Sequence, residues 1–262
     1  MAKIKILFIG DVFGKAGRCA IEKLVPALLN TNSIDICIAN GENAAGGTGI
    51  TQKISNQFFS SGIDIITSGN HIWSNKDILS ILDTNERILR PANYPDRVKG
   101  IGSTTFKSKK GYIFGIINLM GRIFMSPLDC PFKVAEREIK ELKKKTMVNI
   151  IDFHAEATSE KMALGTYLDG KVTAVIGTHT HVQTADEKIF PRGTAYITDA
   201  GMTGPHDSII GAKKDSVFQR FLTQVPVKLE AASDDIRLNG VIIEANYDSG
   251  KALSIKRISK KL

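Results

Sequence analysis

Short apolar runs alternate with amphipathic stretches along the whole chain. In the runs the hydrophobic residues are adjacent, which is typical of buried β-strands, whereas in the stretches they recur every three or four positions, as in helices. The pattern predicts strands over residues 4–10, 34–39, 64–68, 147–153, 172–177 and 194–198, a hairpin over 104–119 turning at Lys110-Gly111, and a closing hairpin turning at Ser249-Gly250. It predicts helices over residues 18–29, 51–61, 75–82, 132–145, 159–169 and 214–223. Thr51 is the expected N-cap of the second helix.

The alternation of strand and helix predicts an α/β fold. Strands that are apolar on both faces indicate a mixed sheet covered by helices on both faces. No repeat, low-complexity tract or linker-like segment interrupts this order. We therefore expect a single domain over residues 1–262.

Composition excludes several classes of protein. The chain is 42% hydrophobic and 24% charged, which is close to the average of globular proteins and argues against a disordered or fibrous chain. Its apolar runs are far shorter than the ~20 residues of a membrane helix, and its first residues lack the features of a signal peptide. We expect a cytoplasmic protein with no membrane partner. Cys19, Cys37 and Cys130 are too widely spaced for a disulfide framework or a thiolate zinc site.

The net charge is +8, from 35 basic and 27 acidic residues. Such a surface attracts polyanions or phosphorylated metabolites. The same charge also fits ordinary solvated faces and a basic C-terminal stretch, so both interpretations stay open.

Polar segments follow the carboxyl ends of five predicted strands. In open α/β sheets, ligands bind outside these strand ends. The chain has five histidines, and four of them lie in these segments, with His206 as the fifth. The segments are 10–11, 40–43, 69–71, 152–154 and 177–181.

These segments carry the ligand types of a metal site. Carboxylate, amide and imidazole groups without cysteine suit iron, manganese or zinc. There are seven candidates, which is too many for one ion with an open position and appropriate for two ions that share a ligand. Two ions ~3.5–4 Å apart bind a phosphate and generate a hydroxide between them. Glu42 is the natural bridge because a carboxylate has two oxygens to share. The candidates are Asp11, Glu42, Asn43, Asn70, His154, His179 and His181.

The same segments resemble the calcineurin-like metallophosphoesterase superfamily, through Gly-Asn-His at 69–71 and His-x-His at 179–181. Phe13 stands where the superfamily has its first histidine, and Gly-Glu-Asn at 41–43 replaces its Gly-Asp. Both departures are features of the bacterial YmdB-like phosphodiesterases, which the chain resembles along essentially its whole length. The stretches that carry this resemblance are GDVFGKAGR, NGENAAGGTGI, SGNHIW, DFHAEATSEK, GTHTHVQTAD and DAGMTGPHDSIIG.

The resemblance implies a metallophosphoesterase-type sandwich of mixed sheets covered by helices, and hydrolysis of 2′,3′-cyclic nucleotides. It implies two metal ions, with iron as the implied metal and manganese or zinc as alternatives, and a homo-oligomer. Asp11, Asn43 and His181 would complete one ion. Asn70, His154 and His179 would complete the other, with Glu42 as the bridge.

His71 is the expected general acid and is not a ligand in this family. A hydroxide that attacks phosphorus expels a strongly basic ribose oxygen, and an imidazolium opposite to it lowers the barrier near neutral pH. His206 is a candidate substrate contact. We expect Glu156 to bond backbone at a helix start, outside the site.

The sequence also allows other functions to be considered. A nucleotide-binding loop at 10–17 is excluded because Val12 interrupts the G-x-G-x-x-G pattern and no Ser or Thr follows Lys15, as a P-loop requires. An RNA-directed nuclease or a phosphomonoesterase could use the same ligand set. A regulatory protein with a structural metal site is a further possibility.

Overall fold

The structure is a computed structural model that describes residues 2–262. Its strands are β1 (Lys3–Ile9), β2 (Ile36–Asn40), β3 (Ile65–Thr67), β4 (Ser103–Lys107), β5 (Ile113–Met120), β6 (Asn149–His154), β7 (Ala174–Thr178), β8 (Lys188–Ile189), β9 (Ala195–Ile197), β10 (Gly204–Pro205), β11 (Ile236–Asn246) and β12 (Ala252–Lys261). Its helices are α1 (Gly14–Asn32), α2 (Gln52–Ser60), α3 (Pro131–Leu142), α4 (Thr158–Tyr167) and α5 (Lys214–Thr223), with a 3₁₀ helix at Lys76–Ser80.

Within the described residues, the strands form two mixed six-stranded sheets. In the first sheet β1, β2 and β3 are parallel neighbours, and β11 pairs antiparallel with β1, β10 and β12. The second sheet has the order β4-β5-β6-β7-β9-β8, in which β5, β6, β7 and β9 run parallel. The parallel strands of each sheet therefore deliver their carboxyl ends to one edge.

The two sheets pack face to face with helices outside. Phe8 and Ile38 of the first sheet share one buried cluster with Ile150 of the second. The opposite face of the first sheet packs on α1 and α2, and that of the second sheet packs on α3 and α4. This is the sandwich that the resemblance implied. The alternation alone indicated one sheet between two helical layers, because a strand is apolar on both faces whether helices or a second sheet cover it.

The predicted elements are present with shifted ends, except that the helix predicted over residues 75–82 is the 3₁₀ helix Lys76–Ser80. Helix α1 begins at Gly14, four residues before the predicted 18, and Thr51 caps α2 by accepting a hydrogen bond from the Ile54 amide at 3.3 Å. The pattern missed β8 and β10, each two residues long, because so short a segment shows no periodicity. The three cysteines are free. No helix in residues 2–262 has the length and apolar character needed to cross a membrane.

Candidate active site

All seven candidate ligands lie at the carboxyl ends of parallel strands, where the rims of the two sheets meet. Parallel strands bring them together because all of these strands end at the same edge of their sheet, and the residues that follow each strand lie at that edge. Asp11 follows β1, Glu42 and Asn43 follow β2, Asn70 follows β3, His154 ends β6, and His179 and His181 follow β7.

Glu42 lies at the centre of this group, and its side chain is 1% exposed. Its Oε1 lies 3.1 Å from Nε2 of His154 and 3.1 Å from Nδ1 of His71. Nε2 of His154 lies 3.0 Å from Nδ1 of His179. Glu42, His154 and His179 offer ligand atoms that all lie within 4.8 Å of one another. These three side chains could hold one ion.

The other candidates surround this trio. Oδ1 of Asn70 lies 3.3 Å from Nε2 of His154. Nε2 of His181 lies 3.0 Å from Nδ2 of Asn43 and 4.0 Å from Oδ1 of Asp11. The structure thus brings together all seven residues that the sequence singled out.

Two buried oxygens in this cluster test whether it fits a metal. Oδ1 of Asp11 and Oε1 of Glu42 accept no hydrogen bond of good geometry from residues 2–262. A buried carboxylate oxygen without a well-aligned donor is costly. A cation between the two sheets would satisfy both oxygens, and the surrounding amides and imidazoles are suitable ligands. The residues present therefore fit a metal centre.

The hydrogen bonds of His154 define which ring nitrogen is free. Its Nδ1 lies 3.0 Å from Oγ1 of Thr178, and that hydroxyl donates to Oδ1 of Asp152 at 2.7 Å. Thr178 therefore accepts from Nδ1–H, which leaves the Nε2 lone pair directed toward Glu42. Asp152 also accepts hydrogen bonds from Asn40 and Thr67 of the first sheet. Both sheets therefore hold the hydrogen-bonded series His154–Thr178–Asp152 in place.

The other two histidines are oriented in the same way. Nε2 of His179 lies 3.0 Å from Oε2 of Glu156, so it donates there and leaves Nδ1 free. Nδ1 of His181 lies 2.8 Å from the carbonyl oxygen of Ile210, so it donates there and leaves Nε2 unprotonated, facing Nδ2 of Asn43 at 3.0 Å. Each free nitrogen faces the cluster. Ligating histidines characteristically have such an outer partner on the second nitrogen.

Burial and charge shift the pKa values of this cluster strongly. Burial lowers the pKa of His154, but the charges of Glu42 and Asp11 outweigh it and raise the pKa to about 9. Burial, reinforced by the charge of His154, lowers the pKa of His179 to about 3. Burial raises the pKa of Glu42, yet the charge of His154 reverses this and holds the pKa well below its usual range. Without a cation, the cluster therefore holds its proton on His154.

Gly69 explains why the Gly-Asn-His segment begins with glycine. A Cβ at this position would overlap Oε2 of Glu42 and the ring of His154. A side chain at position 69 would therefore displace two candidate ligands.

Phe13, which by the sequence resemblance replaces the superfamily's first histidine, lies beside the candidate ligands. Its ring packs edge-on against His181, with the ring centroids 5.7 Å apart. A Cβ at Gly47 would come within 3.1 Å of the Phe13 ring, and one at Gly211 within 2.8 Å. Phe13 therefore fills a slot lined by glycines and supports His181 by packing.

The two remaining histidines differ in their relation to the cluster. His71 lies against it, with Nδ1 3.1 Å from Oδ1 of Asn43, and its side chain is 35% exposed. His206 lies apart, with Nε2 3.2 Å from the carbonyl oxygen of Met202, and burial lowers its pKa. It nevertheless lines, together with His181, a cavity of about 500 Å³.

Glu156 belongs to this site, although the sequence pattern did not identify it. Its carboxylate contacts His179, whereas we expected it to bond backbone at the start of α4, and α4 has no side-chain cap. Its position two residues after His154 was the signal available. The partner of Glu156 is 23 positions away, so only the folded chain identifies its contact.

A sandwich of two mixed sheets with carboxylate, amide and imidazole ligands at one rim defines a metallophosphoesterase-type hydrolase. The family model described as "YmdB-like protein" matches residues 7–258 of this chain. The chain belongs to the YmdB-like family, as its motifs implied.

Named relatives and solved structures agree with this assignment. The chain is 49% identical over 255 residues to the 2′,3′-cyclic-nucleotide 2′-phosphodiesterase of Bacillus subtilis, covering 97% of this chain and 96% of that protein. It is 38% identical to a putative phosphatase/phosphodiesterase of Mycoplasma pneumoniae, covering 98% and 93%. The crystal structure of a phosphatase from Mycoplasma pneumoniae matches with a TM-score of 0.93 at 37% identity, covering 100% of this chain and 94% of that one. That of a hypothetical protein from Thermus thermophilus matches with a TM-score of 0.92 at 39% identity, covering 98% and 99%.

Proposed function

We propose that this chain is a dinuclear-metal phosphodiesterase that hydrolyses 2′,3′-cyclic nucleotides. The observation that carries the proposal is the convergence of three imidazole nitrogens on two buried carboxylate oxygens that accept no well-aligned hydrogen bond from residues 2–262. The name of the Bacillus subtilis relative, a 2′,3′-cyclic-nucleotide 2′-phosphodiesterase, supports the substrate class.

The seven clustered side chains divide into two ligand sets around Glu42. In this proposal Asp11, Asn43 and His181 hold one ion, and Asn70, His154 and His179 hold the other. Iron is the metal we propose, with manganese and zinc as alternatives that suit the same ligands. When bound, the ions would neutralise the phosphate charge and supply the hydroxide nucleophile.

His71 is the proposed general acid. Its backbone amide donates to Oε2 of Glu42 at 3.2 Å, and its side chain lies at the solvent-exposed margin of the cluster. A ring in this position can reach a substrate oxygen without being enclosed as the ligand histidines are. It would protonate the departing ribose oxygen, and Asn43 beside it would fix its orientation.

The test compares the unaltered protein with the His71→Ala variant on 2′,3′-cyclic AMP, with the bound metal of each counted. We expect about two ions per chain in both proteins. A lost general acid lowers turnover by roughly 10²–10⁴. Loss of metal from the variant would contradict the role of His71, and full metal without turnover in the unaltered protein would contradict the activity.

RNA is a second candidate substrate that one observation favours. Lys256 and Lys260 line a groove of about 520 Å³ between α1 and β12, and the net charge is +8. An RNA-directed enzyme loses binding steeply with added salt, whereas a mononucleotide enzyme does not. Measuring KM for RNA and for 2′,3′-cyclic AMP between 50 and 200 mM salt separates the two. A protein that makes 6–10 phosphate contacts loses ~10³–10⁵ in affinity over this range.

Two different functions for the same site have their own tests. A phosphomonoesterase would hydrolyse nucleoside monophosphates faster than cyclic ones. A regulatory protein with structural metals would keep its cellular effect in the His71→Ala variant. Cytoplasmic location, a single domain over 1–262 and a homo-oligomer stay predictions.

A further inference from the structure

The backbone of the turn formed by residues 179–181, here called the histidine turn, is strained at both of its histidines. His179 has φ of 97° and His181 has φ of 66°, both in the left-handed region that residues with a side chain avoid. Strain of this kind persists only where surrounding contacts hold it in place. The residue between them, Thr180, is the point where such contacts are made.

The buried ion pair of Lys161 and Asp199 holds Thr180 in place. The amide and the hydroxyl of Thr180 both donate to Oδ2 of Asp199, at 3.0 and 2.6 Å. Nζ of Lys161 donates to the same oxygen at 2.8 Å and to Oγ1 of Thr180 at 3.3 Å. The side chains of Lys161 and Asp199 are 1% and 0% exposed. The Thr180 hydroxyl is thus both donor and acceptor within one closed network.

The network also joins the histidine turn to the segment after β9. Oδ1 of Asp199 accepts a hydrogen bond from the amide of Gly201 at 2.8 Å, and the amide of Met202 donates to the carbonyl oxygen of His181 at 3.0 Å. A Cβ at Gly177 would overlap the carbonyl oxygen of Thr198 and come within 3.1 Å of Cδ of Lys161. The missing side chain therefore lets the segment before Asp199 approach the end of β7 beside the buried lysine.

We propose that Lys161, Thr180 and Asp199 are positioning residues that hold the strained turn so that Nδ1 of His179 and Nε2 of His181 face the metal centre. They act through the backbone, because the hydrogen bonds of Lys161 and Asp199 within residues 2–262 reach no candidate ligand side chain. This inference rests on the proposed function, since it needs the two histidines to bind metal.

The test compares two threonine-to-valine substitutions, one beyond each end of β7. Thr180→Val removes the hydroxyl from the network, and Thr173→Val removes a buried hydroxyl at the opposite end of β7, where Oγ1 accepts from the Asn149 amide at 3.1 Å. Each full-length protein is stripped with a chelator and titrated with Mn²⁺, and free Mn²⁺ is measured by electron paramagnetic resonance. Loss of an outer partner weakens metal binding ~10–100-fold, which we expect for Thr180→Val alone.

Conservative replacement separates positioning from stability. Thr180→Ser keeps the hydroxyl, and we expect it to bind Mn²⁺ as the unaltered protein does. Equal Mn²⁺ affinity of Thr180→Val and Thr173→Val would overturn the proposal, as would a loss in Thr180→Ser as large as that in Thr180→Val. Absence of Mn²⁺ binding by the unaltered protein would instead contradict the proposed function.

The charged pair gives a second measurement. Asp199→Asn leaves the Lys161 ammonium buried and unpaired, so this variant can fail to fold. Lys161→Met combined with Asp199→Asn removes both charges, and we expect a folded protein with Mn²⁺ affinity lowered ~10–100-fold. A folded double variant with unaltered affinity would overturn the proposal.

Discussion

Nε2 of His154 and Nδ1 of His179 face each other at 3.0 Å. Two lone pairs at this distance repel, so one of the nitrogens must carry a proton or both must bind a cation. The pKa of His154 is raised to about 9 and that of His179 is lowered to about 3, which places the proton on His154 in the metal-free protein. The same geometry that binds a proton is therefore poised to exchange it for a metal.

Metal binding should release this proton. Since the raised pKa of His154 lies at about 9, the site is protonated below pH 9 and a cation must displace the proton there. We expect Mn²⁺ affinity to rise about tenfold per pH unit between pH 7 and 9 and to level off above. Calorimetry at pH 7.5 in buffers with different ionisation enthalpies counts the proton. An affinity independent of pH over this range would contradict the assignment.

Replacing Glu42 should disable both halves of the site. Glu42→Gln keeps the shape of the side chain but removes the charge that raises the pKa of His154 and that would bridge two ions. We expect Mn²⁺ affinity to fall by more than the ~10–100-fold that the loss of an outer partner causes, because Glu42 is the proposed ligand of both ions, and we expect most activity to be lost. Glu86→Gln, at an exposed site, is the control and should bind as the unaltered protein does. Retention of two ions by Glu42→Gln would exclude a bridging role.

A side chain at position 69 should separate ligands without unfolding the sandwich. Gly69→Ala places a Cβ against Glu42 and His154, and overpacking of this kind costs ~1–3 kcal/mol. We expect a lower melting temperature and loss of Mn²⁺ binding. Gly46→Ala is the comparison, because its Cβ meets no atom within 4 Å but its φ of 69° strains the backbone. Equal Mn²⁺ affinity in both alanine variants would refute the steric argument.

His206 should affect substrate binding more than chemistry. It lines the same cavity as the candidate ligand His181, and its Nε2 lies 3.2 Å from the Met202 carbonyl oxygen. We expect His206→Gln to raise KM for 2′,3′-cyclic AMP severalfold with kcat unchanged, because lost uniform binding raises KM alone. A fall in kcat with KM unchanged would place His206 in the chemical step instead.

Much of the site could be predicted from the sequence because its ligands follow strands directly. Where a strand pattern ends, the next polar residues must lie at the rim, and this predicted that Asp11, Glu42 and His154 lie together. The residues that orient these ligands could not be found in this way. Asp152 and Asn40 bond at 3.0 Å across 112 positions of sequence, and Glu156 meets His179 only after two strands have paired. Such contacts depend on how the sheets pack, which periodicity does not encode.

The candidate ligands come from both sheets of the sandwich. Asp11 and Glu42 extend from the first sheet, and His154 and His179 from the second. A cation between them would therefore act as a cross-link that cannot form in the unfolded chain. At a free cation concentration of 100 times Kd, such binding adds about 2.7 kcal/mol to the unfolding free energy. Chelation would remove that cross-link from the two buried carboxylates. The supply of metal would then govern how long each molecule resists proteolysis, alongside how fast it turns over substrate.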